Sequence, residues 1–224
     1  MSLIGNKFKK LFCFIRGKIN FFLKSYIQYP PYEIRKYNYL LTTDDPIRYI
    51  SIALAINRIK KKKIEGNFAE LGVYKGFTSK IIHSLAPEKT IYLFDTFQGF
   101  PVKQLDKKDE RFKDTTLEIL KNVIGDLNNI VIRKGLFPET AEGLEDEAFS
   151  FIMIDLDIYE PTMSALEFFY PRIKSGGYIF IHDYNNLYES KGAVYRAVNK
   201  FMKDKPEKII EIPDKWGSVI IRKI

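Results

Sequence analysis

The sequence predicts an α/β domain built on a mostly parallel sheet of seven strands, with the last strand reversed and a helical appendage in front. From residue 66 onward, short apolar runs alternate with helix-like segments, which is the pattern of βα units joined by right-handed crossovers. The two final apolar runs are separated only by the turn 213–217, which suits an antiparallel pair. A chain of 224 residues accommodates one such domain with an appendage, but not two large domains.

The first strand of this domain starts at Asn67 and turns into a helix at 77–86. The later strands are expected at 90–95, 129–133, 150–157, 178–183, 208–212 and 218–222, and the later helices at 115–124, 162–173 and 192–203. The run 150–157 is near-continuously apolar, which is typical of a parallel strand buried on both faces. Before the domain, a helix is expected at 47–63, with Thr43 or Asp44 as its N-cap and Pro46 in its first turn.

The positive charge of the chain lies almost wholly in the appendage. The net charge is +8, but residues 1–65 hold fourteen Lys/Arg and four Asp/Glu, whereas residues 66–224 hold twenty-two and twenty-four. We therefore divide the chain into a basic helical appendage, 1–65, and a cofactor-binding domain, 66–224. Because a nucleic-acid enzyme carries its basic patch around its active site, this distribution argues against a nucleic-acid substrate.

Residues 1–29 combine six basic residues with large apolar ones and no acidic residue. Their apolar runs are too short for a membrane span or a signal peptide. Two interpretations remain open, a helix that contacts anionic membranes peripherally and a helix that packs on its own domain or on a second subunit. Cys13 is the single cysteine, which favours a reducing compartment, so we expect a cytoplasmic protein.

The first strand and the turn after it have the pattern of a cofactor site. Glu70, Gly72 and Gly76 form an E-x-G-x-x-x-G turn, which leaves backbone N–H groups free at the start of a helix. A dinucleotide fingerprint requires glycine at the position of Glu70, so NAD fits poorly. A carboxylate there instead suits the ammonium group of S-adenosylmethionine.

The second strand ends in Asp95, about twenty residues beyond the glycine turn, where an acid accepts hydrogen bonds from ribose hydroxyls. We place Tyr74 and Gly135, from the turns after the first and third strands, in the same cofactor site.

Further acids follow the fourth and fifth strands, and the ends of parallel strands face one crevice. Asp155 and Asp183 are therefore expected to lie together and to bind a hard divalent cation through oxygen atoms. Asp157 can share their side if the chain remains extended. His182 adjoins Asp183 and is a candidate ligand, base or orienting group.

Four stretches together resemble the macrocin O-methyltransferase family, namely ELGVYKG at 70–76, LFDTFQGFP at 93–101, IDLDIYEPT at 154–162 and GGYIFIHDY at 176–184. The resemblance covers roughly residues 66–205. It implies the class I methyltransferase (Rossmann-like) fold and the methylation of sugar hydroxyls with S-adenosylmethionine and magnesium. It also implies that Asp155 is a metal ligand and the catalytic base, and that His182 and Asp183 are the other ligands. His182 stands where the family has an aspartate.

The expected function is therefore a divalent-metal-assisted O-methyltransferase that acts on a hydroxyl of a sugar or a glycosylated small molecule, with Mg²⁺ or Mn²⁺. Asp155 and His182 are its expected catalytic residues. Two alternatives remain, a catechol-type O-methyltransferase for aromatic diols, and an inactive membrane-surface or partner-binding module of the same fold. A homo-oligomer is compatible with each of these.

Overall fold

A computed structural model describes residues 34–100, 111–187 and 191–224 of the chain. The predictions for residues 1–29 lie outside the described residues. In the described part, no helix combines the length and the apolar character that a membrane crossing requires.

The predicted sheet is confirmed, with seven strands in the order β3-β2-β1-β4-β5-β7-β6. The strands are β1 (Asn67–Leu71), β2 (Ile91–Asp95), β3 (Ile130–Lys134), β4 (Phe149–Ile154), β5 (Ile173–Ile181), β6 (Ile209–Ile212) and β7 (Ser218–Arg222). The first five strands pair in parallel, whereas β7 runs antiparallel to both β5 and β6. The central strand β1 lies between β2 and β4, so its end meets the ends of both neighbours.

Five helices and two 3-10 helices, Ile34–Thr42 and Glu139–Ala141, complete the described elements. The helices are α1 (Pro46–Lys61), α2 (Phe77–Leu85), α3 (Leu117–Ile124), α4 (Tyr159–Phe169) and α5 (Ala193–Met202). The N-cap of α1 is Asp45, whose side chain accepts a hydrogen bond from the Arg48 N–H, so the prediction of Thr43 or Asp44 was wrong by one or two residues.

The largest error in the predicted boundaries lies between α4 and β5. The helix was expected to reach residue 173, but it ends at Phe169, and Ile173 already pairs with Phe149 of β4. Gly176 and Gly177, which precede the predicted start of this strand at 178, lie inside β5. A Cβ on Gly177 would come within 2.8 Å of the Ser150 carbonyl oxygen, so the close approach of β4 explains the glycine.

The sheet separates two hydrophobic clusters because successive side chains of a strand point to opposite faces. On one face, α1, α2 and α3 cover strand residues such as Phe68 and Met153. On the other face, α4 and α5 cover residues such as Ala69 and Ile152. The first cluster contains α1 residues together with strand residues, so its packing extends across the predicted boundary at residue 65, and the two-part division stays a prediction.

Candidate active site

A cavity of about 300 Å³ lies at the carboxyl ends of the parallel strands. Residues from the ends of β1, β2, β4 and β5 line it, together with the start of α1 and the β6–β7 turn. Its lining includes Asp45, Arg48, Gly72, Tyr74, Asp95, Gly135, Asp155, Asp157, His182, Asp183, Lys215 and Trp216. The apolar part of its lining is formed by Phe94, Phe100, Phe112, Leu136, Phe137 and Ile158. The strand ends therefore converge as the parallel sheet predicts.

Four of the six predicted cofactor residues line this cavity, namely Gly72, Tyr74, Asp95 and Gly135. The other two, Glu70 and Gly76, lie outside its lining. Gly76 has a packing explanation, because a Cβ there would meet Leu120 of α3 at 2.4 Å, and its φ of +85° suits glycine. Its assignment as a cofactor contact stays a prediction.

Gly72 allows the ends of β1 and β4 to approach each other at the cavity. Its φ is +82°, and a Cβ on it would come within 1.8 Å of the Asp155 carbonyl oxygen. Any side chain at position 72 would therefore push the end of β1 away from Asp155, which follows β4.

Asp95, at the end of β2, orients the turn that follows β1, residues 72–76. Its Oδ2 accepts a hydrogen bond from the Tyr74 N–H at 2.8 Å, and its Oδ1 accepts one from the Phe97 N–H at 2.7 Å. A carboxylate has about four lone-pair positions. Asp95 can thus orient the turn and still accept hydrogen bonds from ribose hydroxyls, although the ribose contact stays a prediction.

Glu70 is a buried acid at the centre of the sheet, with 1% of its surface exposed. Burial raises the pKa of its carboxyl group to about 8. Among the described residues, its Oε2 has no hydrogen-bond partner. A bound ammonium group would supply a hydrogen bond to this oxygen and a charge that favours the ionised carboxylate, although a contact with the amino group of S-adenosylmethionine stays a prediction.

Asp155, His182 and Asp183 come together at the ends of β4 and β5, as the sequence predicts. The Nδ1 atom of His182 lies 3.2 Å from Asp155 Oδ1 and 3.0 Å from Asp183 Oδ2. Its Nε2 atom lies 2.8 Å from the Lys215 carbonyl oxygen. Because a carbonyl only accepts hydrogen bonds, Nε2 carries a hydrogen, and Nδ1 is the ring atom that faces the two acids.

The three neighbouring groups differ in protonation for physical reasons. Burial alone would lower the pKa of His182, but the charge of Asp155 and hydrogen bonds to Asp155 and Asp183 raise it to about 11. Burial raises the pKa of Asp157 to about 9, and a hydrogen bond to Asp183 adds to the shift. Burial opposes ionisation of Asp183, but hydrogen bonds from His182 and Asp157 lower its pKa below the usual range. These directions place the shared proton on Asp157, which donates a hydrogen bond to the carboxylate of Asp183.

The donor set of this cluster fits a divalent cation. One atom from each of Asp155, His182 and Asp183 lies within 4.8 Å of the others. The hydrogen bond from His182 Nε2 to a backbone carbonyl is the arrangement that orients a metal-binding histidine. A cation at this place would replace the proton on Nδ1, because both occupy the space between the ring and the two carboxylates. One nitrogen among the ligands suits Mn²⁺ or Zn²⁺ better than Mg²⁺.

Sequence reasoning missed the wall of the cavity that α1 and the β6–β7 turn form. Asp45 and Arg48 come from the start of α1, and Lys215 and Trp216 from the turn. The capping sequence before Pro46 gives an ordinary signal for a helix start. No pattern in it indicates that Arg48 reaches Asp155, which lies 107 positions away in the sequence.

Two curated relatives are O-methyltransferases by name. Demethyldecarbamoylnovobiocin O-methyltransferase of Streptomyces niveus is 24% identical over 171 residues, which cover 67% of this chain and 65% of that protein. The 8-demethyl-8-(2,3-dimethoxy-alpha-L-rhamnosyl)-tetracenomycin-C 4'-O-methyltransferase of Streptomyces olivaceus is 24% identical over 156 residues, which cover 61% and 60%. The chain thus spans somewhat less than two thirds of the length of these relatives.

Solved structures with the same fold are methyltransferases by title. The O-methyltransferase NovP matches with a TM-score of 0.65 and 19% identity, over 80% of each chain. The calicheamicin methyltransferase CalS11 matches with a TM-score of 0.60 and 20% identity, over 92% of this chain and 91% of that one. The SAH-bound methyltransferase PaMTH1 of Podospora anserina matches with a TM-score of 0.58 and 13% identity, over 93% and 94%. At these identities the likeness shows the fold alone.

The family comparison covers both the sheet and the start of α1. The model described as macrocin-O-methyltransferase (TylF) matches residues 46–220, which is more than half of the chain. This range includes Arg48, the strand-end acids and the turn that carries Trp216. The chain belongs to the TylF macrocin-O-methyltransferase family.

Proposed function

We propose that this protein transfers the methyl group of S-adenosylmethionine to a hydroxyl group of a sugar-containing small molecule. The observation that carries the proposal is the convergence of Asp155, His182 and Asp183 beside the cofactor turn at Gly72. Membership of the TylF family supports the reaction, and the rhamnosyl acceptor in one relative's name supports the acceptor class.

Different residues would bind different parts of the methyl donor. Asp95 and the backbone of the turn at Tyr74 would hold the nucleoside part of the methyl donor, and Glu70 would pair with its amino group. The bound donor supplies an electrophilic methyl group on sulfur. Asp155 would accept the proton of the acceptor hydroxyl group while the methyl group passes from sulfur to the acceptor oxygen.

Asp155, His182 and Asp183 would hold a divalent cation, which lowers the pKa of a bound hydroxyl group and stabilises its developing negative charge. Without a cation, the protonated ring of His182 occupies the space between the acids. Occupation by a cation therefore requires loss of the Nδ1 proton, so cation binding should weaken as pH falls.

The acceptor side of the cavity suits a ring that carries hydroxyl groups. Trp216, with 44% of its surface exposed, offers an aromatic face beside carboxylates that accept hydrogen bonds from hydroxyls. A catechol-type activity shares the metal chemistry and remains the second candidate. Peripheral membrane contact through residues 1–29 and assembly into a homo-oligomer stay predictions.

The proposal is tested by methyl transfer from radiolabelled S-adenosylmethionine to p-nitrophenyl α-L-rhamnopyranoside, with catechol as the competing acceptor. We expect methylation of the rhamnoside that is lost in excess EDTA and restored by Mn²⁺ at least as well as by Mg²⁺. Asp155→Asn and Asp183→Asn should each remove most turnover, because each loses a ligand and Asp155→Asn also loses the base.

Calorimetric affinity for S-adenosylhomocysteine is the control and should be nearly unchanged in both variants. Full activity in EDTA or in Asp155→Asn would contradict the mechanism. Methylation of catechol alone would favour the second candidate. Absence of methylation with both acceptors, together with no binding of S-adenosylhomocysteine, would contradict the methyltransferase assignment.

A further inference from the structure

Arg48 reaches the proposed catalytic acid from an element outside the cofactor-binding half of the fold. It lies in the first turn of α1, and its Nη1 is 3.4 Å from Asp155 Oδ2. The side chains of Arg48 and Asp155 are 11% and 25% exposed, so solvent screens this contact less than it screens a surface ion pair.

The guanidinium group of Arg48 has two further polar neighbours. Its Nε lies 3.4 Å from Asp45 Oδ2, an ion-pair contact without a hydrogen bond, and its Nη2 donates a hydrogen bond to the Tyr49 hydroxyl oxygen at 3.2 Å. The three nitrogen atoms of one planar group thus face three different partners. A lysine carries the same charge but cannot reproduce this arrangement, because its ammonium group is a single point of contact.

The two oxygen atoms of Asp155 consequently face different partners. Oδ2 faces Arg48, and Oδ1 faces His182 at 3.2 Å. A carboxylate that is held on both oxygens has little freedom to rotate about its side-chain torsions. Its orientation toward the cavity is thereby fixed before any ligand enters, which is the condition for efficient transfer of a proton from a bound hydroxyl group.

We propose that Arg48 is a positioning residue for methyl transfer, which holds Oδ2 of Asp155 on the α1 side and leaves Oδ1 toward His182 and the acceptor. This inference rests on the proposed function. It assigns to the start of α1 a role in catalysis, through Asp155, in addition to its packing role.

The contact itself is tested without acceptor or metal, by a double-mutant cycle in EDTA with Arg48→Met and Asp155→Asn. We expect the fall in Tm of the double variant to be smaller than the sum of the two single falls by about 2 °C or more, since contacting residues couple. Strictly additive changes in Tm would overturn the proposal, whatever the activity of the protein.

The positioning role is tested by turnover of the rhamnoside probe. Arg48→Met should lower kcat by about 10- to 100-fold, because displacing a reacting group by an ångström has effects of that size. Its KM for S-adenosylmethionine and its affinity for S-adenosylhomocysteine should stay within about twofold of the wild-type values, because Arg48 acts on Asp155 and not on the methyl donor. Arg48→Lys should fold like the wild type and recover only part of the loss, and added guanidinium ions at low millimolar concentration should partly rescue Arg48→Met.

Arg58→Met, which removes an exposed arginine from the same helix, is the matched control and should keep wild-type kcat. A kcat within twofold of wild type in both Arg48 variants would overturn the positioning role. So would a loss of kcat accompanied by an equal loss of affinity for S-adenosylhomocysteine. Failure of the wild-type protein to methylate the probe would instead count against the proposed function, while the cycle in Tm still decides whether Arg48 and Asp155 interact.

Discussion

At the scale of single residues, carboxyl groups in and near the site differ in pKa because their environments differ. Burial raises the pKa of Glu70 to about 8 and that of Asp157 to about 9, whereas hydrogen bonds from His182 and Asp157 overcome the effect of burial and lower the pKa of Asp183. The cavity therefore contains both proton donors and ionised acceptors near neutral pH, although its acidic side chains are all aspartates.

Glu70 gives this difference a measurable consequence in stability. Burial raises the pKa of its carboxyl group to about 8 in the folded protein, whereas in the unfolded chain the group has its ordinary pKa of 4.5. Between these values the unfolded state binds fewer protons, so stability falls as pH rises. We expect the Tm of the wild type to decrease between pH 5 and pH 8, and the Tm of Glu70→Gln to decrease less.

The matched control for this prediction is Glu167→Gln, which changes an exposed glutamate of α4 and should keep the wild-type dependence on pH. Parallel Tm curves for wild type and Glu70→Gln would show that Glu70 is ionised in the folded protein.

The residues of the candidate site were predictable from sequence where they follow the strands of the sheet. Asp155, His182 and Asp183 were expected together because parallel strands end at one edge, and the structure brings them within hydrogen-bonding distance. Arg48 was not predictable in this way. Its contact with Asp155 depends on how a helix from the predicted appendage packs against the sheet, and hydrophobic periodicity does not specify such long-range placement.

At the scale of elements, the close contact between β1 and β4 determines the shape of the cavity. Gly72 ends β1 in a left-handed conformation, and its backbone lies against the carbonyl group of Asp155. The turn that is predicted to bind the cofactor and the strand end that carries the proposed base are therefore parts of one packed unit.

Gly72→Ala should disrupt this unit. A Cβ at 1.8 Å from the Asp155 carbonyl oxygen forces the two strand ends apart, and the positive φ adds backbone strain. We expect a loss of about 3 kcal/mol in the free energy of unfolding, measured by urea denaturation.

Gly143→Ala is the control that separates backbone strain from the steric clash. Gly143 has a φ of +79°, but no atom lies within 4 Å of a Cβ added to it. It should cost only the backbone strain, about 1 kcal/mol. Equal losses in the two variants would mean that the contact between the strand ends contributes nothing.

Element boundaries were harder to predict than element types. The helix before β5 was expected to reach residue 173, because the apolar residues of a helix end and of a buried strand have similar patterns over a few positions. The boundary between α4 and β5 is set by the pairing of Ile173 with Phe149 of β4, which depends on tertiary structure.

At the scale of the whole molecule, the packing of α1 bears on the predicted division at residue 65. Ile52, Ile56 and Ile59 of α1 are almost completely buried, and they belong to the same cluster as Phe68 and Ile82. Because α1 covers one face of the sheet, we can predict how the domain behaves without it.

A fragment of residues 66–224 should fold poorly, because removing α1 exposes apolar surface that the full chain buries. We expect stronger binding of a hydrophobic dye and a broad, weakly cooperative thermal transition. A fragment that begins at residue 43 and keeps α1 is the control and should melt cooperatively. A cooperative transition of the fragment 66–224 near the Tm of the full chain would support the division at residue 65.

The hydrogen bond from His182 to the Lys215 carbonyl has a consequence for how this site can change by mutation. An aspartate at position 182 has no ring N–H, so its carboxylate would leave that carbonyl without this donor. Exchange of histidine for aspartate at this position would therefore change a proposed cation ligand and, at the same time, the support of the turn that carries Trp216. We expect the effect of such an exchange to depend on the residues at 213–217.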